Sequence, residues 1–293
     1  MSKKKVNRRS FLGYTGIAAL AATSGCYRIS LKDMNMDCYH AAKLEEKVRV
    51  MSYNIANARG NYDEFWKMRS RDAILFNLGQ IGAMSQSEDI ELLCMNEVDF
   101  DSTRTHYIDQ AEHIAKHLCY NHVIKESLFK APGIIDVGNA VVSKYPLTLN
   151  YNRQYGTTYA QRIKHIFKTF MDFDVEYRPG KKLNIVLTHL DHHSQGNRKE
   201  EVAILLNYLK TKKRPFVLLG DFNSGPGSPA FDRIVGSGLV KNPKAGIPTF
   251  RSHKPKDSLD HILASDPLRI ENYHTIWAEM SDHRPVVGDI VIP

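Results

Sequence analysis

The chain has 293 residues, of which 42% are hydrophobic, 25% charged and 10% aromatic. This composition is typical of globular proteins and excludes collagenous, disordered and disulfide-scaffold classes. No linker-like stretch divides the chain, so one large domain is expected. The formal net charge is +8, but five positive charges lie in the first nine residues, and 8 − 5 leaves +3 for the rest. Charge therefore does not indicate a nucleic-acid-binding surface.

The first 26 residues resemble a bacterial twin-arginine export signal. Arg8-Arg9 precedes a short, mildly apolar stretch over residues 13–22, and small residues follow it. About ten apolar residues are too few to span ~30 Å of hydrocarbon, which argues against a transmembrane helix. The sequence therefore predicts an exported protein rather than one with a short membrane anchor or an ordinary amino-terminal helix.

Cys26 follows small residues and in this respect resembles the cysteine of a lipoprotein cleavage site. Thr23 departs from that pattern, which prefers Leu or Val at this position. We therefore expect a lipid anchor at Cys26 and a periplasmic or envelope-anchored location. The charged residues scattered over residues 27–46 are typical of a polar spacer. The folded domain is then expected over residues 47–293.

Short apolar runs bounded by polar clusters predict many strands and few helices in this domain. In chain order, the predicted strands cover residues 48–55, 90–95, 140–143, 167–177, 183–187, 216–219, 260–264 and 286–292. The predicted helices cover residues 69–84, 107–118 and 198–209. This order favours an α+β fold over one doubly wound parallel sheet. We expect a four-layer α/β/β/α sandwich of two mostly antiparallel sheets flanked by helices, least regular around residues 151–162.

Carboxylates, amides and imidazoles cluster at the ends of several predicted strands. They are Asn54, Glu97, His189, Asp221, Asn223, Asp260, Asp282 and His283. Each one alone is equally consistent with a turn, a solvated strand end or a surface ion pair. If they meet at one rim of a sandwich, they repel one another unless a cation and an anionic substrate share the site.

The chemistry of these side chains points to phosphoester hydrolysis. Oxygen ligands without a cysteine cluster favour a hard cation, Mg²⁺ or Mn²⁺. The predicted metal ligands are Asn54, Glu97, Asp260 and Asp282. Imidazoles can donate to phosphate oxygens, an amide can orient a nucleophile, and a carboxylate can accept a proton from water. The predicted catalytic residues are His189, Asp221, Asn223, Asp282 and His283.

These residues and their order resemble the endonuclease/exonuclease/phosphatase superfamily over about residues 47–293. The Gly-Asp-Phe-Asn and Ser-Asp-His strings are the most specific motifs, and residues 138–143 match the family's middle strand. The resemblance implies a divalent-metal-dependent hydrolase that attacks a phosphodiester or phosphomonoester in line with an activated water.

For the metal, the resemblance implies that Glu97 binds directly, that Asn54 supports the same shell and that Asp260 is a further acidic residue nearby. Some members place a tyrosine or arginine between the Glu and His motifs. Arg162 is the candidate for that position here. His261 lies where members of the family vary and has no assigned role.

For catalysis, the resemblance implies that Asp221 activates the water and that Asn223 orients it. His189 and His283 are then phosphate ligands, and Asp282 is expected to hold His283. Since the order and motifs are complete, the site is expected to be functional.

The substrate class stays open at this point: a small molecule, a lipid head group or a nucleic acid. The chain is expected to act as a monomer. An exported nuclease is the alternative, because residues 151–168 combine basic and aromatic side chains that could grip a strand. A solvated hairpin is the favoured interpretation of that segment.

Two further alternatives belong to other classes. A catalytically inactive phosphate-binding module is expected to lose a site carboxylate or imidazole, and none is missing here. A zinc hydrolase could use His189, His192 and His193, but adjacent residues point apart on a strand. Cys94 lies in an apolar run and is expected to be a core residue.

Overall fold

A computed structural model describes residues 28–37, 46–61, 68–156, 168–242 and 244–293. The predicted export signal, Cys26 and Arg162 lie outside these residues. The first six strands are β1 (Arg28–Asp33), β2 (Lys47–Asn54), β3 (Leu92–Asp99), β4 (His122–Ala131), β5 (Ile135–Ser143) and β6 (Leu147–Gln154). The others are β7 (Thr169–Arg178), β8 (Lys181–His189), β9 (Phe216–Asp221), β10 (Asp260–Ala264), β11 (Arg269–Thr275) and β12 (Val286–Val291). The helices are α1 (Arg71–Ser87), α2 (Gln110–Leu118), α3 (Gln195–Leu209) and α4 (Pro229–Val235).

The strands form two sheets. One has seven strands in the order β1-β4-β5-β3-β2-β12-β11, and the other has five in the order β10-β9-β8-β7-β6. Only β2 with β3 and β8 with β9 pair in parallel, and the remaining described pairs are antiparallel. Helices cover the outer faces, so the predicted four-layer sandwich is confirmed.

Three buried clusters separate the four layers. The cluster between the sheets includes Val50 of β2, Phe173 of β7 and Leu219 of β9. A second cluster packs the other face of the seven-stranded sheet against α1 and α2, and a third packs the five-stranded sheet against α3 and α4. The central strands are therefore buried on both faces, which explains why their sequences are continuously apolar. Cys94 lies free in the central core, as predicted.

Side-chain caps start the four helices of the described ranges. Ser70 accepts from the backbone N–H of Ala73 at 3.2 Å, Asp109 from Glu112 at 3.0 Å, Ser194 from Asn197 at 3.3 Å and Ser228 from Phe231 at 3.4 Å. Each cap satisfies a donor that the first helical turn leaves without a partner. None of the helices in the described ranges is long and apolar enough to cross a membrane.

The structure differs from the sequence-based expectation at the amino-terminal spacer. Residues 28–33 of that segment form β1, which pairs with β4 at the edge of the larger sheet. Beyond β1, the backbone of Met36 exchanges two hydrogen bonds with the side chain of Asn121. β1 was not predicted because most of it is exposed, and a polar edge strand carries no alternating apolar pattern.

Candidate active site

The predicted site residues come together at one end of the two sheets. Asn54 ends β2 beside Asn96 of β3, and Asp221 ends β9 opposite His189 and Asp260. The side chain of Asn54 joins the sheets by donating from Nδ2 to Asp221 Oδ2 at 2.9 Å. Because parallel neighbours end at the same edge, their polar ends form one rim.

Glu97 reaches this rim through an irregularity in β3. The register with β5 shifts between Met95 and Val98, and Glu97 has a positive φ of 55°. A bulge adds a residue to one strand and re-aims its side chain. The Glu97 carboxylate thereby accepts from Asn54 Nδ2 at 3.2 Å and stays 30% exposed, which leaves it accessible to a ligand.

A glycine fixes the backbone next to Asp221. Gly220 has φ of 132°, and a Cβ there would lie 1.9 Å from the carbonyl oxygen of Thr188. Only glycine permits this close approach of β9 to β8. Asn223 donates its backbone N–H to Asp221 Oδ1 at 2.8 Å and its Nδ2 to Leu190 O at 2.9 Å. The Gly-Asp-Phe-Asn string therefore holds the Asp221 carboxylate in place.

A buried polar chain supports the rim from behind. Asp221 N donates to Asn96 Oδ1 at 3.0 Å, and Asn96 Nδ2 donates to Asn139 Oδ1 at 2.8 Å. Asn139 Nδ2 continues to Glu126 Oε2 at 2.9 Å, and Thr169 Oγ1 donates to the other Glu126 oxygen at 3.0 Å. This chain links five strands and gives the motif at residues 138–143 a structural role.

His283 lies between two carboxylates. Its Nδ1 is 2.8 Å from Asp260 Oδ2, which also accepts from Thr249 Oγ1 at 2.6 Å, and its Nε2 is 3.9 Å from Asp221 Oδ2. Burial alone would lower the pKa of His283, but Asp260 and Asp221 raise it to about 10. Burial and the nearby Asp260 raise the pKa of Asp221. The site thus combines an imidazolium with a carboxylate of increased basicity.

This geometry corrects the expected partner of His283. Asp260 holds the imidazole, whereas Asp282 pairs with Arg59, whose Nη2 lies 3.0 Å from Asp282 Oδ2. Asp282 and His283 are adjacent in the sequence, but their side chains contact different partners. β10 brings Asp260 across from the neighbouring sheet.

His189 has the opposite environment from His283. Its Nε2 accepts from Lys168 Nζ at 2.7 Å and lies 3.5 Å from Asp221 Oδ2 and 4.0 Å from Glu97 Oε1. Burial and the Lys168 ammonium hold the pKa of His189 well below its usual range. His189 is therefore neutral at pH 7, while His283 is charged.

Lys168 is a site residue that sequence reasoning missed, because it was assigned to a solvated hairpin. It is 3% exposed, and the Tyr155 side chain from the same segment is 1% exposed. Burial lowers the pKa of Lys168, against the opposing effect of Glu97 and Asp221. The sequence signal was a single cation inside the predicted strand over residues 167–177, directly before the first residue of β7.

Arg59 is the second missed residue. Its guanidinium pairs with Asp282 and approaches Glu97, with Nη1 3.9 Å from Glu97 Oε2. It follows a short turn that carried no apolar periodicity, so nothing in the pattern connected it with the distant Ser-Asp-His string. The two cations, Arg59 and Lys168, flank the acidic rim from opposite sheets.

The donor set fits a divalent cation. Asp221, Asp260 and His283 are buried, and each offers a ligand atom within 4.8 Å of the others. Asp260 Oδ1 is buried and has no hydrogen-bond partner within the described ranges, which is unfavourable for a carboxylate oxygen without a compensating charge. Since His283 is protonated and held by Asp260, the more accessible carboxylates are the better ligands. These are Glu97 and Asp282.

The histidines proposed for a zinc site do not form one among the described residues. His192 and His193 are exposed and lie against each other, with ring centroids 3.5 Å apart. His261, which had no assigned role, is buried against Phe222 and Phe231 and bonds the carbonyl oxygen of Ser224 at 2.9 Å. It is a core residue with a satisfied ring nitrogen.

Comparison with known proteins agrees with this geometry. The sequence matches the family model of the Endonuclease/Exonuclease/phosphatase family over residues 51–283. No curated protein matches the chain. A solved endonuclease/exonuclease/phosphatase from Beutenbergia cavernae is 22% identical, with a TM-score of 0.62 over 85% of this chain and 72% of that one.

Two further solved structures share the fold. A Bacteroides thetaiotaomicron mannosyl-6-phosphatase is 16% identical, with a TM-score of 0.60 over 84% of this chain and all of that one (100%). The catalytic domain of human Nocturnin, solved with a bound sulfate anion, is 18% identical, with a TM-score of 0.57 over 89% of this chain and 97% of that one. The family match contains every residue of the rim from Asn54 to His283, and the chain belongs to the endonuclease/exonuclease/phosphatase family.

Proposed function

We propose that the protein is an exported hydrolase of phosphoester bonds that works with Mg²⁺ or Mn²⁺ and an activated water. Its family consists of phosphoester hydrolases, generally dependent on divalent metals. The observation that carries the proposal is the arrangement of His283 between Asp260 and Asp221, which pairs a charged donor with a carboxylate that can accept a proton. An inactive binding module has no need for this pairing of opposite protonation states.

Asp221 acts as the base in this proposal. Its raised pKa favours proton acceptance, and hydrogen bonds from Asn54 Nδ2 and from the backbone N–H of Asn223 fix both carboxylate oxygens. Asn223 thus orients the base through its backbone, because its side-chain amide is bound to Leu190 O. A base held on both oxygens keeps one direction of attack.

Phosphate binding falls to the imidazoles and cations of the rim. His283 is charged and directs its Nε2 toward Asp221, so a phosphoryl oxygen in that space receives a charge-assisted hydrogen bond. Lys168 adds a buried positive charge through its contact with His189. These groups stabilise the negative charge that grows on the phosphoryl oxygens during attack.

Glu97 and Asp282 would hold the metal, with Asn54 next to them. A bound divalent cation supplies charge neutralisation and polarisation of a phosphoryl oxygen. Asp260 holds His283 through Oδ2, and its role as a further metal ligand through Oδ1 stays a prediction. Oxygen donors with partial exposure are typical of Mg²⁺ sites, which retain water.

We expect Glu97→Ala to abolish hydrolysis at low metal concentration, because the change removes a direct carboxylate from a cation with few protein ligands. Excess metal should restore part of the rate. Rates measured against Mg²⁺ or Mn²⁺ concentration check this expectation. Glu88→Ala is the matched control, since Glu88 pairs with Arg49 away from the rim. Activity of the wild type that survives exhaustive chelation would contradict the proposal.

A substrate panel tests the function itself. It comprises an aryl phosphodiester, an aryl phosphomonoester, plasmid DNA, sphingomyelin and a sugar phosphate, each with Mg²⁺ and with Mn²⁺. The sugar phosphate is included because a mannosyl-6-phosphatase shares the fold. Failure to hydrolyse any of them would count against a hydrolase, and hydrolysis of DNA alone would favour the nuclease alternative.

Export is supported by the cysteines as well as by the signal. Cys119 is disulfide-bonded, and disulfides persist in oxidising compartments outside the cytosol. We expect replacement of Arg8-Arg9 by Lys-Lys to leave the precursor in the cytoplasm, because a receptor reads the two arginines and not their charge. Cell fractionation measures this. Normal arrival of the Lys-Lys form at the envelope would assign the signal to the general secretory route.

A further inference from the structure

Arg59 lies between the two carboxylates assigned to the metal. Its Nη2 is 3.0 Å from Asp282 Oδ2, and its Nη1 is 3.9 Å from Glu97 Oε2. The arginine side chain is 13% exposed, that of Asp282 11% and that of Glu97 30%. A positive charge of the protein therefore neutralises the same acidic pair that a divalent cation needs.

Arg59 follows a turn with an unusual backbone conformation. The three preceding residues, Ala56, Asn57 and Ala58, have φ values of 45°, 57° and 54°. Such left-handed conformations are unfavourable for residues with a Cβ, and persist only where surrounding contacts impose them. Backbone strain of this kind concentrates at functional sites.

Three hydrogen bonds from side-chain amides stabilise this turn. Gln110 Nε2 donates to Asn57 O at 2.7 Å, and Asn77 Nδ2 donates to Ala58 O at 2.8 Å. Asn57 Nδ2 donates to the carbonyl oxygen of Glu97 at 2.9 Å. The last contact ties the turn to the residue that Arg59 approaches, so the position of the guanidinium and that of the Glu97 carboxylate are fixed together.

A purely structural ion pair explains this arrangement less well. Arg49 shows what such a pair looks like in the strand that precedes the turn: it joins Glu88 and Asp289 at the start of β2, on regular backbone. Arg59 instead reaches its carboxylates from a strained turn and faces the accessible rim. A divalent cation placed between the same two carboxylates would meet the guanidinium as a like charge at close range.

We propose that Arg59 is a resident counter-ion of Glu97 and Asp282 that a divalent cation has to displace, so that Arg59 sets the metal affinity of the site. This inference rests on the proposed function, which assigns the metal to these two carboxylates. Displacement leaves the guanidinium at the rim, where its planar donors match two phosphoryl oxygens. Arg59 would then be both a competitor of the metal and a ligand of the substrate phosphate.

Calorimetric titration of the full-length protein with Mn²⁺, without substrate, tests the competition. We expect Arg59→Gln to bind Mn²⁺ about tenfold more tightly than wild type, because one like charge is removed from the site. Arg59→Lys keeps the charge and should stay within about threefold of wild type. Arg49→Gln is the matched control and should titrate like wild type.

Kinetics at saturating Mn²⁺ test the second role: Arg59→Gln should raise KM for the best substrate of the panel, and Arg49→Gln should not. An unchanged or weaker Mn²⁺ affinity in Arg59→Gln would overturn the inference while leaving the proposed function intact. If Arg59→Gln fails to fold, an Arg59→Lys protein that binds Mn²⁺ more than tenfold more tightly would overturn it instead, because charge would then not be the cause. Absence of Mn²⁺ binding in the wild type would overturn both.

Discussion

Asp221→Asn should reduce turnover of a phosphoester by about 10³-fold, because the change removes the proton acceptor and keeps the shape of the side chain. The amide can retain the hydrogen bond from the backbone N–H of Asn223 through its oxygen, but its NH2 group then faces the Asn54 amide and cannot accept from it. The variant should therefore fold with reduced stability, and Mn²⁺ affinity should change little. Turnover per folded molecule and the thermal midpoint measure the two effects.

The matched control for this change is Asp289→Asn. Asp289 is also a buried aspartate in a central strand, 2% exposed, but it pairs with Arg49 at the opposite end of the sheet. It should lose stability and keep turnover near wild type. Equal losses of turnover in both variants would show that a buried charge, and not a base, had been removed.

His283→Ala should lower turnover by about 10²-fold or more, since it removes a preorganised charged donor. Asp260→Asn should move the alkaline limb of the pH–rate profile to lower pH, because the imidazolium loses the carboxylate on its Nδ1. Asp282→Asn should shift this limb less, since Asp282 is bound to Arg59. A larger shift in Asp282→Asn than in Asp260→Asn would contradict the pairing described here.

The protonated His283 imidazole also stabilises the folded state, and this stabilisation decreases as pH rises. The folded protein has the pKa of His283 near 10, against about 6.5 in an unfolded chain. The folded state binds the proton more tightly, so its contribution is complete below about pH 6.5 and is lost as pH rises toward 10. The difference in thermal midpoint between wild type and His283→Ala should shrink over that interval.

The central strands could be predicted because burial on both faces produces apolar runs that length and β-branching identify. β1, β6 and β11 were not predicted, since these strands lie at sheet edges and are largely polar or exposed. The inner strand β4 was missed as well, whereas the buried edge strand β10 was predicted. α4 has only seven residues, which is too short for a helical period to be recognised. The layers of the fold were therefore predictable, but β4 and the exposed edge strands were not.

At the site, the polar strand ends were predictable because the parallel pairs β2/β3 and β8/β9 end at one rim, where the antiparallel strand β10 begins. Arg59 and Lys168 were not, since each is a single cation whose partners lie far away in the sequence. The pairing of Asp260 with His283 could not be predicted from the sequence either. Sequence adjacency suggested Asp282, and only the meeting of β10 with the segment before β12 shows otherwise.

The direction of β1 places the predicted lipid anchor relative to the active site. Arg28, the first residue of β1, pairs with Ser127 of β4, which pairs with Gly138 of β5, which in turn pairs with Val98 next to Glu97. These four residues form one row across the sheet. With neighbouring strands about 4.8 Å apart, Arg28 lies roughly 14 Å from the catalytic end of β3.

The length of chain between Arg28 and Cys26 limits how far the predicted lipid can lie from this row. Two residues of chain reach at most about 7 Å, so a lipidated Cys26 would hold Arg28 close to the bilayer surface and the rim within roughly 20 Å of it. A domain attached to a lipid anchor through a long flexible linker samples a large volume of the aqueous compartment. If Cys26 carries the predicted lipid, this domain would instead keep its catalytic rim within a short distance of the head-group layer, where the local concentration of membrane components is high.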